Sequence, residues 1–209
     1  MNLWVFDNDG TLYNDFGAGK KFMEILVPYA ANLLQIPQSE AEKEIPRLKN
    51  KWQTDFTALA LVKELGIDLS EFVANTYLKI DLGKCGLVRD DSKVLTLESI
   101  KSPKIVFTNN PSSFAKYVLS YLGLSEQFVD FIGMQETNFN SKPNPLAYQE
   151  IERLHPGFNK VFFCDDSLQN LDSALRMGWT TFWIKPPESS IVSTKHITIE
   201  SFPELLNYI

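Results

Sequence analysis

The sequence predicts an α/β protein: a parallel sheet with helices on both faces, carrying a small α-helical insertion. Three observations carry that expectation. Short apolar runs at Leu3–Phe6, Lys104–Phe107 and Val161–Cys164 each end in polar residues. From Asp91 onward helix and strand patterns alternate, as they do where parallel strands are joined by right-handed crossovers. Residues 17–80 hold helix signals and almost no strand signals.

Leu3–Phe6 is short and bounded by the turn formers Asn8, Asp9 and Gly10, which favours a buried strand over a helix. A helix follows from Ala18 toward Leu34, with Pro28 expected to kink or divide it because proline lacks the amide donor. Ser39 and Glu42 have capping-box spacing for a second helix, interrupted at Pro46. Asp55–Leu65 carries Phe56, Leu59, Ala60 and Val62 at helical spacing and stops at Gly66. Ser70 caps a short helix through Leu78, and Ser92–Ile100 forms the next.

The strand Lys104–Phe107 ends in Thr108, Asn109 and Asn110. Pro111 suits the first turn of a helix with Ala115, Val118, Leu119 and Leu122 inward, ending at Gly123. A third strand spans Phe128–Gly133. A polar loop, Ser141–Pro145, leads to a helix over Leu146–Leu154. Val161–Cys164 ends in Asp165 and Asp166. A helix then places Leu168, Leu171 and Leu175 on one face, and Thr181–Ile184 is a fifth strand before a last helix from Pro203.

A chain of 209 residues exceeds one typical domain and falls short of two. The expected division is a core of residues 1–14 and 91–209 with a cap of residues 15–90. The net charge of −6 and the absence of a dense basic stripe argue against a nucleic-acid polymer as partner. No run approaches the roughly 20 apolar residues of a membrane span, and the amino terminus lacks a leader pattern, so a soluble cytoplasmic protein is expected. Two cysteines, Cys85 and Cys164, are too few for a disulfide scaffold and read as small buried side chains.

Parallel strands have all their carboxyl ends on one edge, where open α/β sheets bind ligands. That edge gathers Asp7 and Asp9, Thr108 and Asn109, and Asp165 and Asp166. Such a set of carboxylates repels itself unless a cation or a lysine neutralises it. Magnesium is the first candidate, because it takes hard oxygen ligands together with substrate phosphate. A carboxylate such as Asp7 can also act as a covalent nucleophile, with Asp9 protonating the departing oxygen.

The stretches Asp7-Asn8-Asp9-Gly10-Thr11-Leu12, Thr108-Asn109-Asn110, Lys142-Pro143 and Asp165-Asp166-Ser167 resemble the four ordered motifs of the haloacid dehalogenase superfamily. The resemblance implies a Rossmann-like core, a helical cap, dependence on Mg2+ and phosphoryl transfer through an aspartyl phosphate. Carried over, Asp7 is the nucleophile and a metal ligand; Asp9 is the general acid/base and lends its backbone carbonyl to the metal. Thr108 and Asn109 bind the phosphoryl group, helped by backbone amides of the adjacent loop, and Lys142 neutralises charge. Asp166 is the remaining carboxylate ligand, Asp165 acts through a metal-bound water, and Asn170 orients the same shell. The acid at Asp9 favours a phosphatase over a dehalogenase, whose intermediate needs no protonated leaving group.

Leu12-Tyr13 and FFCDDSLQN look most like the pyrimidine 5′-nucleotidase and phosphoglycolate phosphatase-like enzymes, with Gly10 standing where the nucleotidases have asparagine. The expected partner is a small phosphorylated metabolite, with a pyrimidine nucleotide as one candidate. A sugar-phosphate mutase and a catalytically silent phosphate-binding regulator are the alternatives. Phe16, Phe22, Trp52 and Phe56 could stack on a base, although aromatics at helical spacing usually belong to a core. Lys20 and Lys21 could contact substrate near the cap entrance. His155 and His196 carry no catalytic expectation.

Overall fold

A computed structural model of the chain describes residues 1–14, 17–54 and 56–209. Its contacts divide the chain into two units, Met1–Asp15 with Leu87–Ile209, and Phe16–Gly86.

The first unit is built on six strands: β1 (Asn2–Phe6), β2 (Lys104–Phe107), β3 (Asp130–Ile132), β4 (Lys160–Asp165), β5 (Thr180–Ile184) and β6 (Ile197–Ile199). All pair in parallel in the order β3-β2-β1-β4-β5-β6. This is a Rossmann-like sheet whose order reverses beside β1, the switch point where such sheets open a crevice. The sequence reading lacked β6, whose three residues follow a tail with no clear period.

Four helices belong to this unit: α5 (Asp91–Ser99), α6 (Ser112–Tyr121), α7 (Pro145–Leu154) and α8 (Leu168–Arg176). The strand period of two sends alternate residues to opposite faces. Leu3, Val5, Ile105, Phe107 and Phe163 pack with Tyr148 and Ile151 of α7 and Leu171 and Ala174 of α8. Trp4 and Phe6 face the other way into a cluster of rings with Phe162, Phe182, Phe128 and Phe202. Leu175 is not part of the α8 stripe; it is 41% exposed while Leu171 and Ala174 are buried. The last helical stretch, Phe202–Tyr208, is a 3-10 helix capped reciprocally by Ser201 and Glu204.

The second unit holds α1 (Ala18–Leu34), α2 (Gln38–Lys51), α3 (Thr57–Leu65) and α4 (Leu69–Asn75). Pro28 does not divide α1, nor does Pro46 divide α2. Both prolines are exposed, while Leu26, Val27 and Ala30 of α1 and Ile45 and Leu48 of α2 are buried around them. Tertiary packing of that face offsets the single lost bond in each helix. The predicted Ser39 and Glu42 capping box is absent: α2 starts one residue earlier, after Pro37, with no side-chain cap. Nor does Ser70 cap α4; Asp68 does, accepting from the amides of Ser70 and Glu71. In α3 the buried residues are Ala58, Ala60 and Leu61, with Leu59 and Val62 half-buried, and Asp55 lies outside the described residues.

Among the described residues no helix is long and apolar enough to cross a membrane. Cys164 is buried, but Cys85 is only partly covered, because it follows a short 3-10 turn at Leu82–Lys84 instead of sitting inside a helix.

Candidate active site

Strand register brings the first two acids together. Phe6 pairs with Cys164, and the Asp7 amide donates to the Cys164 carbonyl at 2.8 Å, so Asp7 and Asp165 leave neighbouring strand ends side by side. Both continue the parity of Val5 and Phe163 and so lie on the face covered by α7 and α8.

Lys142 is buried between them. Its Nζ donates to Asp7 Oδ1 at 2.5 Å, to Asp165 Oδ2 at 3.0 Å and to the Phe107 carbonyl at 2.8 Å. An ammonium has three protons, so its donors are fully used. Its position is fixed from the backbone outward. The Asn109 side chain accepts from the Lys142 amide at 2.8 Å and donates to the Lys142 carbonyl at 3.1 Å, while the Ser173 hydroxyl holds the Pro143 carbonyl at 2.7 Å. The Asn109 side chain is therefore committed to the lysine loop.

Burial pushes the Asp7 carboxyl well above its usual range; Lys142 opposes that shift and Asp165 reinforces it. Burial pulls Lys142 down, yet Asp165 and Asp7 together outweigh it and hold the ammonium above its ordinary value. The directions agree physically, because one cation serves two carboxylates.

Asp165 is wholly buried, with both oxygens occupied. Besides Lys142, it accepts from the Ser167 amide at 2.8 Å and from Asn170 Nδ2 at 3.1 and 3.0 Å. Asn170 thus orients Asp165. Asp166 differs: among the described residues its carboxylate has no side-chain hydrogen-bond partner, and burial, with Asp165 next, raises its pKa to about 6. Its backbone is held by Trp183 Nε1, which donates to the Asp166 carbonyl at 2.9 Å.

Asp7, Asp165 and Asp166 each offer a ligand oxygen within 4.8 Å of the others. Three carboxylates against one ammonium leave a net negative charge that a hard divalent cation would neutralise, and an all-oxygen donor set suits magnesium. Gly10 sharpens the fit. Its φ is +81°, and a Cβ there would lie 2.4 Å from Asp166 Oδ2. Only glycine lets the first turn lie against that carboxylate. The residues present fit Mg2+ through Asp7 and Asp166, with Asp165 already saturated by donors.

Asp9 sits apart, partly exposed, in a turn closed by Gly10 amide to Tyr13 carbonyl (2.9 Å) and Leu12 amide to Asn8 carbonyl (3.0 Å). Its Oδ1 accepts from the Tyr13 hydroxyl at 2.7 Å and its Oδ2 from Asn110 Nδ2 at 2.9 Å. Asn8 Nδ2 in turn donates to the Tyr13 hydroxyl at 2.7 Å. From α5, Lys93 Nζ reaches the carbonyls of Thr11 and Leu12 at 3.0 and 3.2 Å. Thr108, also buried, accepts the Asn110 amide at 3.1 Å and keeps its own proton to donate.

The sequence reading named every acid of this edge but missed Tyr13, Asn110 and Lys93 as partners of the first turn. Tyr13 and Asn110 lay within the quoted motifs, and proximity to Asp9 in sequence was the only signal for Tyr13. Nothing local marked Lys93, which acts across 81 residues.

Among the remaining candidates, Phe22 is buried with its ring stacked on Tyr77 at 4.1 Å, so it is a core residue and no platform for a base. Phe16 lies outside the described residues. Trp52 and Phe56 are half-buried, and the Trp52 indole donates to Glu64 at 2.9 Å. Lys20 is exposed and Lys21 half-buried. His155 pairs with Asp130 at 3.1 Å, and His196 bonds Thr181 at 2.8 Å, so both serve the framework.

A family model described as haloacid dehalogenase-like hydrolase matches residues 1–178. No curated protein gives a significant match. Among solved structures, the chain is similar to a HAD phosphatase from Thermococcus onnurineus at 20% identity and TM-score 0.59, covering 100% of this chain and 97% of that one. It is also similar to a 2-haloacid dehalogenase from Pseudomonas syringae at 17% identity and TM-score 0.66, covering 99% and 97%. The magnesium-bound HAD hydrolase YfnB of Bacillus subtilis matches at 18% identity and TM-score 0.58, covering 99% and 97%. At these identities the structures speak to fold.

Proposed function

The chain belongs to the haloacid dehalogenase-like hydrolases, and on that premise we propose that it is a magnesium-dependent phosphatase acting on a small phosphomonoester. One observation carries the reading: a carboxylate sits at Asp9, two residues beyond the Asp7 that Lys142 orients, so the edge holds an acid for the leaving group as well as a nucleophile.

Asp7 has one oxygen committed to Lys142, and its second has no hydrogen-bond partner among the described residues. In the first step that oxygen attacks phosphorus. The bond from phosphorus to the leaving oxygen breaks, its electron pair stays on that oxygen, and the oxygen takes the proton of the Asp9 carboxyl. In the second step water attacks the same phosphorus and passes a proton to the Asp9 carboxylate. The bond to Asp7 breaks, and Asp7 returns as a carboxylate with release of inorganic phosphate. Lys142 and the Thr108 hydroxyl stabilise the charge that develops on the phosphoryl oxygens, a preorganised contribution worth about 3–4 kcal/mol for one such donor. Mg2+ held by Asp7 and Asp166, with the Asp9 carbonyl as the family resemblance implies, would neutralise the same charge. Residues 16–86 are proposed to contribute substrate selection, and a pyrimidine nucleotide rests on motif resemblance alone.

The test is hydrolysis of simple phosphomonoesters by the wild type and Asp7→Asn, with and without Mg2+, beside halide release from 2-haloalkanoates. Phosphate release that needs both Asp7 and the metal supports the proposal. Equal rates in the two proteins would overturn the nucleophile, and halide release without phosphate release would assign the chain to the dehalogenase chemistry of its structural neighbours.

A further inference from the structure

We propose that Tyr13 and Asn110 are positioning residues for Asp9, holding its carboxyl group in one orientation toward the leaving group. The proposal rests on the acid/base reading of Asp9 given above.

The two partners are chemically unlike. Asn110 Nδ2 can only donate, and it holds Asp9 Oδ2 as an acceptor at 2.9 Å. A hydroxyl can donate or accept, so the Tyr13 oxygen, 2.7 Å from Asp9 Oδ1, tolerates that oxygen with or without a proton. Together the two bonds fix the plane and direction of the Asp9 carboxyl group. Asn8 completes the chain: its Nδ2 fills a lone pair of the Tyr13 hydroxyl at 2.7 Å and turns the hydroxyl proton toward Asp9. Asn8 is wholly buried and Tyr13 is 5% exposed, so water is a poor substitute for either bond.

A purely structural role for the hydroxyl is the competing explanation, and the turn argues against it. Two backbone bonds already close residues 8–13, and Lys93 pins the carbonyls of Thr11 and Leu12 from α5. Those bonds close the turn without the Asp9 carboxylate; the Tyr13 hydroxyl and the Asn110 amide in addition set the direction of that carboxyl group.

The experiment compares kcat/KM, which reports steps up to the first irreversible one, for an alkyl phosphate and for 2,4-dinitrophenyl phosphate, both with Mg2+. The dinitrophenolate leaves without a proton, so only the alkyl ester depends on an acid held in place. Tyr13→Phe and Asn110→Ser should each lower the alkyl-to-dinitrophenyl ratio roughly tenfold, a part of the two to four decades that a general acid supplies. Asp9→Asn is the reference and should lower it further. Circular dichroism and thermal melts verify that each variant is folded, and the ratio is internal to each preparation, so partial unfolding cancels. If Asp9→Asn shifts the ratio while Tyr13→Phe and Asn110→Ser do not, the positioning role is overturned and the acid/base role stands. If Asp9→Asn leaves the ratio unchanged, the acid/base reading of Asp9 fails, and if the wild type turns over neither ester, the phosphatase reading fails; in either case the positioning role falls with it.

Discussion

Asp7 and Asp9 are two residues apart, yet they are held by opposite means. Asp7 shares a buried ammonium with Asp165, and among the described residues no neutral side chain hydrogen-bonds to the Asp7 carboxylate; Asp9 is partly exposed and held by a hydroxyl and an amide. The difference follows from strand parity. Asp7 keeps the inward parity of Leu3 and Val5, so its charge needs a counter-ion, whereas Asp9 lies beyond the strand in a turn that water reaches. The proposed nucleophile is fixed by charge. The proposed acid is fixed by neutral dipoles.

Breaking the charged half should have the largest effect. Lys142→Met leaves Asp7 and Asp165 buried without their cation, and we expect a loss of about 3–5 kcal/mol in urea unfolding at neutral pH, together with loss of phosphate release. Gly10→Ala should come next. A Cβ at φ +81° is strained and would press on Asp166, for an expected cost of about 1–3 kcal/mol and a weaker rise in melting temperature on adding Mg2+.

Asp166 probes what the single ammonium leaves uncompensated. Its folded value of about 6 lies above that of an unfolded aspartate. The folded state therefore keeps the proton to higher pH, and stability falls as pH rises from about 4 through 6. With a chelator present, Asp166→Asn should be the more stable protein above pH 6 by about 1–2 kcal/mol, allowing for solvent screening, and should lose that advantage below pH 4. Urea titrations at several pH values measure it, and a wild type that is the more stable protein at neutral pH would count against the uncompensated carboxylate. The smallest change in stability belongs to the neutral half: Tyr13→Phe should cost about 1 kcal/mol or less in the same unfolding assay.

Much of this was legible in the sequence, for a physical reason. The acids stand at strand ends, and strand ends are marked where an apolar run stops, so Asp7, Asp9, Thr108, Asp165 and Asp166 could be placed on one edge from pattern alone. Lys142 could not be read from pattern; its loop has no period, and only the motif resemblance singled it out. The caps were less legible, since Ser39 and Ser70 had the right residue type at the right spacing while Pro37 and Asp68 took the positions. The aromatic residues were ambiguous: Phe22 has the same spacing whether it faces a ligand or Tyr77, and it packs in the core as such spacing usually does. Lys93 and the Asn109 clamp join residues far apart in sequence, a pairing that no local pattern encodes.

The most direct test of the account is the covalent intermediate itself. Wild type and Asp9→Asn would be mixed with a phosphomonoester and Mg2+, quenched in acid within milliseconds to seconds, and mapped by peptide mass spectrometry. The account predicts a phosphoryl group on Asp7, formed with an activated ester and longer-lived in Asp9→Asn, where water has lost its base. A phosphoryl group on another residue, or phosphate released with no label ever found on Asp7, would contradict it.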